Sequence, residues 1–423
     1  MNSMITGLLK QAERLKPILK KILPQKYLSA VKTKMLNQSY EELVRQGRHT
    51  FDPAKKTYGI NLIGLVRAEM GLGQSCRLLA NTLDYSEIPY SLYNFELPST
   101  LMHAEDHSLD SKISEDLSYG INLIHINPDE MLLMYDRLPR SCWDYSYNIA
   151  FWLWELEEIP QSWYKYFSML DEIWTPSEFI SRSLRKVTKL PVKTMPYCVT
   201  AQTDSAFNRA YFHLPEDTFL FLSMYDSNST MERKNPMGAV EAFKRAFSPN
   251  DSHVGLVLKV NNARESDLSI LKDALKDYPN IYYITETLEK TAVNTLIANC
   301  DVFVSLHRAE GFGLVMAEAM LVGTPCIATN WSSNTEFMNS SVACMVDYTF
   351  TSLKEDYPPY KKGAVWADPN VDQASEYMQR LSKDEKFYHH ISEAARSYIS
   401  KKLGMEQASE NIKLRVTQIY GKD

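Results

Sequence analysis

The sequence predicts two doubly wound α/β domains in tandem, preceded by a basic helical arm. Its 423 residues suffice for two or three domains at roughly 150 residues each. Short apolar runs alternate with helical patterns from residue 58 onward, and the alternation restarts after a polar, Pro-containing stretch at 200–215. Such alternation is typical of parallel sheets covered by helices. The charge is uneven: the whole chain carries −6, whereas residues 1–36 hold seven Lys, one Arg and one Glu.

The first segment, residues 1–57, is predicted to be a basic amphipathic arm. Apolar residues recur every three or four positions from 5 to 23, which indicates a helix with one apolar stripe. Pro17 is expected to kink this helix and Pro24 to end it, and residues 27–36 form a second short amphipathic segment. Two interpretations stay open: a helix that binds an anionic membrane through residues 1–36, or a helix packed on its own protein.

The composition excludes several classes of protein. With 44% hydrophobic and 23% charged residues, the chain is neither disordered nor collagen-like, and its net negative charge disfavours a nucleic-acid binder. None of the six cysteines forms a C-x-x-C pair, which indicates reduced thiols and no structural metal site. No apolar run reaches about 18 residues and no secretory signal is evident. We expect a cytoplasmic protein, peripheral on the inner face of the cell membrane if the arm binds lipid.

Two α/β units follow the arm. The first, 58–199, is predicted to contain strands at 58–64, 121–126, 148–154 and 171–176, and helices at about 74–83 and 177–184. The second, 216–404, is predicted to contain strands at 218–224, 254–260, 281–284, 302–306 and 326–328, and a helix at 236–247. The C-terminal helix, within 405–423, is expected to return to the first unit. Ligands bind beyond the carboxyl ends of strands in such sheets, which places the site between the two units.

Residues 302–328 are the part of the sequence most informative about chemistry, because they give strand, loop, helix, tight turn and strand in succession. Glu310 lies in the loop, and Glu318 lies about one turn into the helix. Gly311 and Gly313 permit a close approach of the backbone to a ligand, and the helix start offers free N–H groups to a phosphate. We interpret the two carboxylates as hydrogen-bond acceptors for diols on either side of a phosphate. The alternative is an exposed helix acid and an unrelated loop acid.

The stretch from Glu310 to Glu318 closely resembles the E-x7-E motif of retaining glycosyltransferases of family 4, which have the GT-B fold. The continuation at 319–325 is similar to that family's "EAMACGTP". The resemblance spans about residue 58 to the C-terminus and is strongest over 220–345. It implies two Rossmann-like domains facing across a cleft, with the nucleotide-sugar donor in the second and the acceptor in the first.

The resemblance also implies roles for individual residues. Glu310 would contact hydroxyls of the donor sugar, and Glu318 would hold the ribose of the nucleotide. The amides near Phe312, Gly313 and Leu314 would lie against the sugar and the diphosphate. Gly71 and Gly73 resemble the family's first glycine-rich loop, although residue 76 is Cys, so the spacing is not a dinucleotide fingerprint.

A basic group should neutralise the departing diphosphate. Arg233 and Lys234 lie between a strand and a helix, where a forked donor and a point charge are well placed. Lys259, near the end of the next strand, is a third candidate. The family usually has an Arg six residues before the Lys, whereas this sequence has Asn228. Either Arg233 or Lys259 then supplies the second charge, or donor binding differs; a solvated loop pair is the alternative for Arg233 and Lys234.

Candidate acceptor residues lie at the ends of first-domain strands. Asn127 is a better match than His125 to the histidine that many relatives carry, and His125 is expected in the core. Trp154 and Glu155 end another strand, where an aromatic ring and a carboxylate can shape a sugar site; the alternative is packing in the core and at its rim. Arg67 and Glu69, in the glycine-containing loop, point into the cleft or into solvent.

The predicted function is transfer of a hexose-type sugar, with retention, from a nucleotide-diphosphate sugar to a glycan or lipid-linked acceptor in cell-envelope polysaccharide synthesis. No D-x-D triad occurs in the chain, so we expect no metal and no cofactor besides the donor substrate. Catalysis would then depend on the positioning of the donor and acceptor and on electrostatic stabilisation of the departing diphosphate. Two alternatives stay open, a nucleotide-sugar epimerase of the same fold and a catalytically inactive partner subunit.

Overall fold

The structure is a computed structural model and describes residues 25–97 and 106–421. Two six-stranded sheets dominate it, and every strand pair in both sheets is parallel. A two-stranded antiparallel hairpin lies outside them. This architecture confirms the predicted fold class of two doubly wound α/β domains.

The first sheet has the strand order β2-β1-β3-β4-β5-β6. Its strands are β1 Thr57–Gly64, β2 Tyr90–Asn94, β3 Tyr119–His125, β4 Tyr147–Phe151, β5 Glu172–Thr175 and β6 Val192–Thr194. The accompanying helices are α1 Gln25–Gln46, α2 Gly71–Ser86, α3 Pro128–Arg137 and α4 Glu178–Arg185, with 3-10 turns at Asp110–Lys112, Arg140–Cys142 and Gln161–Met169.

The second sheet has the strand order β12-β11-β10-β7-β8-β9. Its strands are β7 Phe219–Asp226, β8 Val254–Asn261, β9 Ile281–Ile284, β10 Val302–Ser305, β11 Cys326–Thr329 and β12 Cys344–Val346. The helices are α5 Met231–Lys234, α6 Pro236–Ala246, α7 Glu265–Ala274, α8 Lys290–Asn299, α9 Leu314–Val322, α10 Val371–Lys383, α11 Glu385–Lys402 and α12 Met405–Tyr420, with a 3-10 turn at Ser333–Glu336. The hairpin strands are β13 Tyr348–Ser352 and β14 Val365–Pro369.

The central strands of the first sheet share a buried row of asparagines. The Asn61 side chain donates to Asn122 at 2.8 Å, and the Asn122 side chain donates to Asn148 at 2.7 Å. All three are fully buried, so each amide needs a partner, and the neighbouring strand supplies it. The row holds β1, β3 and β4 in one register, which aligns the carboxyl ends of those strands at one edge.

The strand predicted at 148–154 ends earlier, at Phe151. Beyond it the Leu153 amide donates to the Asn127 side chain at 3.1 Å rather than continuing a ladder. The chain therefore turns away from the sheet, and Trp154 and Glu155 lie beyond the carboxyl end of β4.

The basic arm is described only from residue 25. The helix predicted over 5–23 lies outside the described residues. The predicted second segment is the start of a 22-residue helix, α1, which buries Leu36, Tyr40 and Leu43 in the core of the first domain. Tyr27 and Val31, nearer its start, are exposed. The second half of α1 is therefore part of the folded body.

The C-terminal helix α12 packs on the first sheet's side of the molecule, against α2. The Arg415 guanidinium reaches the fully buried Glu172 of β5, with Nε 3.0 Å from Oε1. The Tyr420 hydroxyl accepts from the Gly59 amide at 3.2 Å. Within the described ranges, no helix is long and apolar enough to cross a membrane.

Candidate active site

The loop after β10 carries Glu310 to the carboxyl edge of the second sheet. β10 lies at the middle of that sheet, between β7 and β11, and the chain leaves it to reach α9. The Glu310 amide donates to the Ser332 hydroxyl at 3.0 Å, and the fully buried His307 contacts the Ser305 hydroxyl at 3.0 Å and the Asn334 side chain at 3.2 Å. These contacts fix the loop from both sides, so the carboxylate is held by a rigid backbone.

The turn between α5 and α6 brings Arg233 and Lys234 to this loop. Asn235 has a left-handed backbone (φ 50°), and its side chain accepts from the Gly238 amide at 3.2 Å and donates to the Leu306 carbonyl at 2.8 Å. This side chain therefore caps α6 and ties the turn to the segment that precedes Glu310.

The three predicted catalytic residues lie together. Lys234 Nζ is 2.5 Å from Glu310 Oε2, and Arg233 Nη1 is 3.8 Å from the same oxygen. Arg233 Nη1 also donates to the Ala309 carbonyl at 3.0 Å. Two cations thus flank one carboxylate at the edge where ligands of parallel sheets bind.

The two cations set the charge state of Glu310. Burial raises the pKa of its carboxyl, but the charges of Lys234 and Arg233 outweigh burial and lower the pKa to about 2. Glu310 is therefore ionised at neutral pH, which suits a carboxylate that accepts hydrogen bonds from hydroxyls and excludes it as a proton donor there.

Arg233 keeps one polar atom without a partner. Its side chain is 7% exposed, and among the described residues nothing accepts a hydrogen bond from its buried Nε. Its Nη2 lies 3.9 Å from Oε1 of Glu155, a first-domain residue. A buried guanidinium with an unused donor is a ready site for an anion.

Glu318 is fully buried in α9. Its Oε2 lies 2.6 Å from Nζ of Lys290, the first residue of α8. Burial raises the pKa of Glu318, and the Lys290 charge opposes that rise in part. Lys290 is 31% exposed, so it lies between the carboxylate and solvent.

The turn for which we expect phosphate binding is the one that begins α9. Gly313 precedes the helix with φ 92°, and no side chain caps it. That left-handed backbone favours glycine, whereas the nearest atom to a Cβ there, the terminal methyl of Met316 at 2.5 Å, belongs to a flexible side chain that can move. The Phe312 ring packs against Tyr197 and Phe337; its amide and that of Leu314, not its ring, remain the groups available to a ligand.

Lys259 lies in a different environment from Lys234. It is fully buried in β8, and its Nζ donates to the Glu286 carbonyl at 2.8 Å and to Asn261 at 2.5 Å. Burial lowers its pKa to about 8. Its hydrogen bonds run toward β9 and not toward Glu310, so of the two candidates for the second charge, Arg233 is the one beside Glu310.

Two of the candidate acceptor residues reach the second domain. Trp154 is buried, its Nε1 donates to the Glu158 carbonyl at 2.7 Å, and its ring centroid is 5.5 Å from that of Tyr360. Glu155 lies beside Arg233, as described above. Asn127, in contrast, uses its side-chain oxygen to hold the Leu153 amide.

The residues of the first glycine-containing loop have partners within the first domain. Arg67 pairs with Asp110, and Glu69 lies 3.5 Å from the buried Arg77. Gly71 begins α2 with open space around it, whereas a Cβ on Gly73 would lie 2.0 Å from the Ala68 carbonyl oxygen. Close packing of the loop against α2 accounts for Gly73.

Sequence reasoning missed Lys290, Tyr360, His307 and Ser332. Lys290 is 28 residues from Glu318, and Tyr360 lies in a polar stretch with no motif. One sequence signal pointed to His307 and Ser332: each lies within a few residues of the end of a predicted strand. In the part of the chain that the structure describes, no group of three or more His, Cys, Asp or Glu side chains is arranged to hold a metal ion.

Comparison with known families gives one match. Residues 227–398 match the family described as "Glycosyl transferases group 1". This span includes Lys234, Glu310 and Glu318. No curated protein sequence matches this chain.

Solved structures with similar folds cover most of the chain. Anabaena HepE in complex with UDP and glucose has a TM-score of 0.61 at 13% identity, with 86% of this chain and 100% of that chain covered. Sucrose-phosphate synthase from Thermosynechococcus elongatus has a TM-score of 0.60 at 14% identity, with 87% and 100% covered. S. aureus TarM in complex with Fondaparinux, α-GlcNAc-glycerol and UDP has a TM-score of 0.54 at 12% identity, with 73% of this chain and 57% of that chain covered. The chain thus has the GT-B fold, and its residues 227–398 are similar to group 1 glycosyl transferases.

Proposed function

We propose that this GT-B protein moves a hexose-type sugar from a nucleotide-diphosphate sugar to a glycan or lipid-linked acceptor, with retention at the anomeric carbon and without a metal. The single observation that carries the proposal is the cluster of Arg233 and Lys234 around Glu310, 3.8 and 2.5 Å from one carboxylate oxygen. The uncapped start of α9 follows four residues later. Family 4 resemblance supplies the expectation of retention.

In this mechanism the two cations stabilise the leaving group. As the bond from the anomeric carbon to the diphosphate oxygen breaks, negative charge grows on the diphosphate, and Arg233 and Lys234 neutralise it. The acceptor oxygen bonds to the same face of that carbon, and its proton passes to the departing phosphate oxygen. Glu310, ionised because the cations lower its pKa to about 2, accepts hydrogen bonds from the donor sugar.

Uridine nucleotides are the first donors to test, because the HepE structure holds UDP and glucose and the TarM structure holds UDP. A thermal-shift screen would compare UDP-, GDP-, dTDP- and ADP-sugars. Only a ligand that binds the native state raises the melting temperature, and at 100 times its Kd the stabilisation is about 2.7 kcal/mol. No shift with any of the four would contradict the proposal.

Variants at the two glutamates test the assigned roles. We expect Glu310→Gln and Lys234→Met each to lower the rate of sugar transfer by about 10²–10³, the effect of removing one preorganised charge. Glu318→Gln should weaken nucleotide binding. Glu385→Gln is the control, since that side chain is 88% exposed at the start of α11. Full activity in Glu310→Gln and Lys234→Met would show that the site lies elsewhere.

Incubation with donor alone separates the enzyme classes. A transferase leaves the sugar unchanged or releases it slowly to water, whereas an epimerase converts the donor into its isomer, which chromatography with mass spectrometry detects. A protein that binds no donor would fit the inactive-subunit interpretation. The anomeric configuration of the product, read by NMR, tests retention.

We further propose that the enzyme acts in the cytoplasm, on the inner face of the cell membrane, in envelope polysaccharide synthesis. The support is the positive charge of residues 1–36, which would attract anionic lipid. Because Leu36 lies in the core, the test is deletion of residues 1–24 only. Loss of binding to anionic liposomes is expected, and unchanged binding would contradict the membrane role.

A further inference from the structure

Ser332 has a backbone conformation that serine rarely adopts. Its φ is 76° and its ψ is −153°, a region that glycine enters readily and that is sterically costly for any residue with a Cβ. The residue lies between β11 and the 3-10 turn Ser333–Glu336, and it is 2% exposed. A buried serine keeps such a conformation only where the surrounding structure imposes it.

The turn around Ser332 is held by contacts from both domains. The Ser332 carbonyl accepts from the Thr335 hydroxyl at 2.7 Å and from the Thr335 amide at 3.2 Å. The fully buried Asn334 side chain donates to the last carbonyl of β11 at 3.0 Å. From the first domain, the Ser177 hydroxyl lies 2.8 Å from that of Ser333. These contacts on either side of Ser332 impose its strained backbone.

The Ser332 hydroxyl faces the loop that carries Glu310. It accepts from the Glu310 amide at 3.0 Å, and the Ser333 amide donates to the Glu310 carbonyl at 3.4 Å. The carboxylate of Glu310 is held in turn by Lys234 at 2.5 Å and by the Gly311 amide at 3.2 Å. Glycine at position 332 would relieve the backbone strain, but it would leave the Glu310 amide without this acceptor.

We propose that Ser332 is a positioning residue for Glu310: its hydroxyl, aimed by a strained backbone, fixes the peptide group from which the carboxylate extends. This inference rests on the proposed function, in which Glu310 binds the donor sugar. Without the hydroxyl, the loop can shift and the carboxylate meets the sugar less often in the productive geometry. The rate of sugar transfer should then fall, whereas UDP, which lacks the transferred sugar, should bind as before.

The first experiment measures sugar transfer and UDP binding. We expect Ser332→Ala to lower kcat about tenfold, since small displacements of a reacting group are costly, and to leave the Kd of UDP within about twofold of wild type. In the Glu310→Gln background, Ser332→Ala should lower kcat by less than about twofold, because the group that Ser332 positions is already absent. Equal losses in the two backgrounds would indicate a general structural defect and overturn the proposal.

The second experiment needs no nucleotide. It measures amide hydrogen exchange at Glu310 by mass spectrometry at residue resolution. We expect Ser332→Ala to speed exchange there about fivefold or more, the effect of losing one hydrogen bond. The Ala317 amide, which donates to the Gly313 carbonyl at 3.1 Å, is the internal reference and should exchange at the wild-type rate. Unchanged exchange at Glu310 would overturn the proposal.

The third experiment tests the strain at Ser332. Ser332→Gly and Ser332→Ala both lack the hydroxyl and differ in the Cβ, so we expect the glycine variant to have a melting temperature about 2 °C or more above that of the alanine variant. Ser341 is the matched control, because it is exposed and its φ is not positive. There the glycine variant should melt below the alanine variant. The same order at both positions would show that the Ser332 backbone is unstrained and does not aim the hydroxyl.

The outcomes for this inference and for the proposed function are distinct. If wild-type protein transfers no sugar while exchange at Glu310 is faster in Ser332→Ala, the proposed function fails and the hold of Ser332 on the loop stands. If wild type transfers sugar while Ser332→Ala has wild-type kcat and wild-type exchange at Glu310, the proposed function stands and the positioning role is overturned.

Discussion

Lys290 Nζ lies 2.6 Å from Oε2 of the fully buried Glu318. This ion pair joins the start of α8 to the middle of α9. Among the described residues, neither oxygen of Glu318 has any other hydrogen-bond partner. A carboxylate in that position is stable as an anion only because of the lysine. The ion pair therefore controls both the charge of Glu318 and the access of solvent to it.

Lys290→Met should destabilise the protein in a pH-dependent way. The pKa of Glu318 is raised in the fold, so its contribution to stability is intact below about pH 4.5 and is lost as pH rises through the folded pKa. Removing Lys290 raises the pKa of Glu318 further, so more of the free energy of unfolding is lost as the pH rises. We expect urea unfolding to show near wild-type stability at pH 4.5 and a deficit of about 2 kcal/mol at pH 8.

The double variant Lys290→Met with Glu318→Gln is the control for this prediction. It has no carboxylate to ionise, so the deficit should no longer depend on pH. A deficit of equal size at pH 4.5 and pH 8 in Lys290→Met would instead indicate a packing defect.

His125 should make the protein sensitive to mild acid. The ring is fully buried in β3, with Nε2 3.1 Å from the Ser75 hydroxyl, and burial lowers its pKa to about 4. The unfolded chain takes up this proton near pH 6.5, so stability is present above that pH and is lost as pH falls toward 4. In urea unfolding, we expect the free energy of unfolding of wild type to fall by about 3 kcal/mol relative to that of His125→Gln between about pH 6.5 and pH 4.

A matched control for His125 is His389→Gln on α11, whose side chain is 61% exposed. That variant should follow the wild-type pH profile. Parallel profiles for wild type and His125→Gln would mean that His125 can take up a proton within the fold.

Arg415 should be needed for docking of the C-terminal helix. Glu172 is fully buried and accepts from Arg415 Nε at 3.0 Å and from Trp174 Nε1 at 2.7 Å. Arg415→Met leaves a buried charge without its cation, which costs about 3 kcal/mol. Lys413→Met on the same helix is the control, because Lys413 and its partner Glu87 are exposed and 4.0 Å apart. We expect that change to cost at most about 0.5 kcal/mol, and equal losses in both variants would contradict the assignment.

The parts of the site that sequence reasoning reached are those built by neighbouring residues. Glu310 and Gly313 follow a strand and Glu318 lies in the next helix, so the order of elements predicted a loop position for the first two and a helical position for the third. Arg233 and Lys234 were found for the same reason, since a turn between a strand and a helix lies at the carboxyl edge of the sheet.

The parts that sequence reasoning missed depend on tertiary contacts. Lys290 reaches Glu318 because α8 packs beside α9. The Tyr360 ring lies 5.5 Å from that of Trp154, and it does so from a hairpin loop that no periodicity predicted. The length of β4 was overestimated because its apolar pattern continues through Trp154, while the Asn127 side chain diverts the chain at Leu153. In each case, Lys290, Tyr360 or Asn127, a side chain contacts a residue that is distant in sequence.

Alanine substitutions at Gly71 and Gly73 would test whether the first glycine-containing loop only packs against α2 or also binds the donor. Gly73 lies inside α2, and a Cβ there would be 2.0 Å from the Ala68 carbonyl oxygen and 2.9 Å from that of Leu65. Both are backbone atoms that cannot move without distorting the fold, so we expect Gly73→Ala to lower the free energy of unfolding in urea by about 1–3 kcal/mol.

Gly71 has open space around it, so Gly71→Ala should leave the free energy of unfolding unchanged or raise it by about 0.5 kcal/mol. If the loop contacts the donor, Gly71→Ala alone should weaken nucleotide binding while stability holds. Unchanged binding in Gly71→Ala, with a stability loss confined to Gly73→Ala, would assign this loop to packing and leave the donor to the second domain.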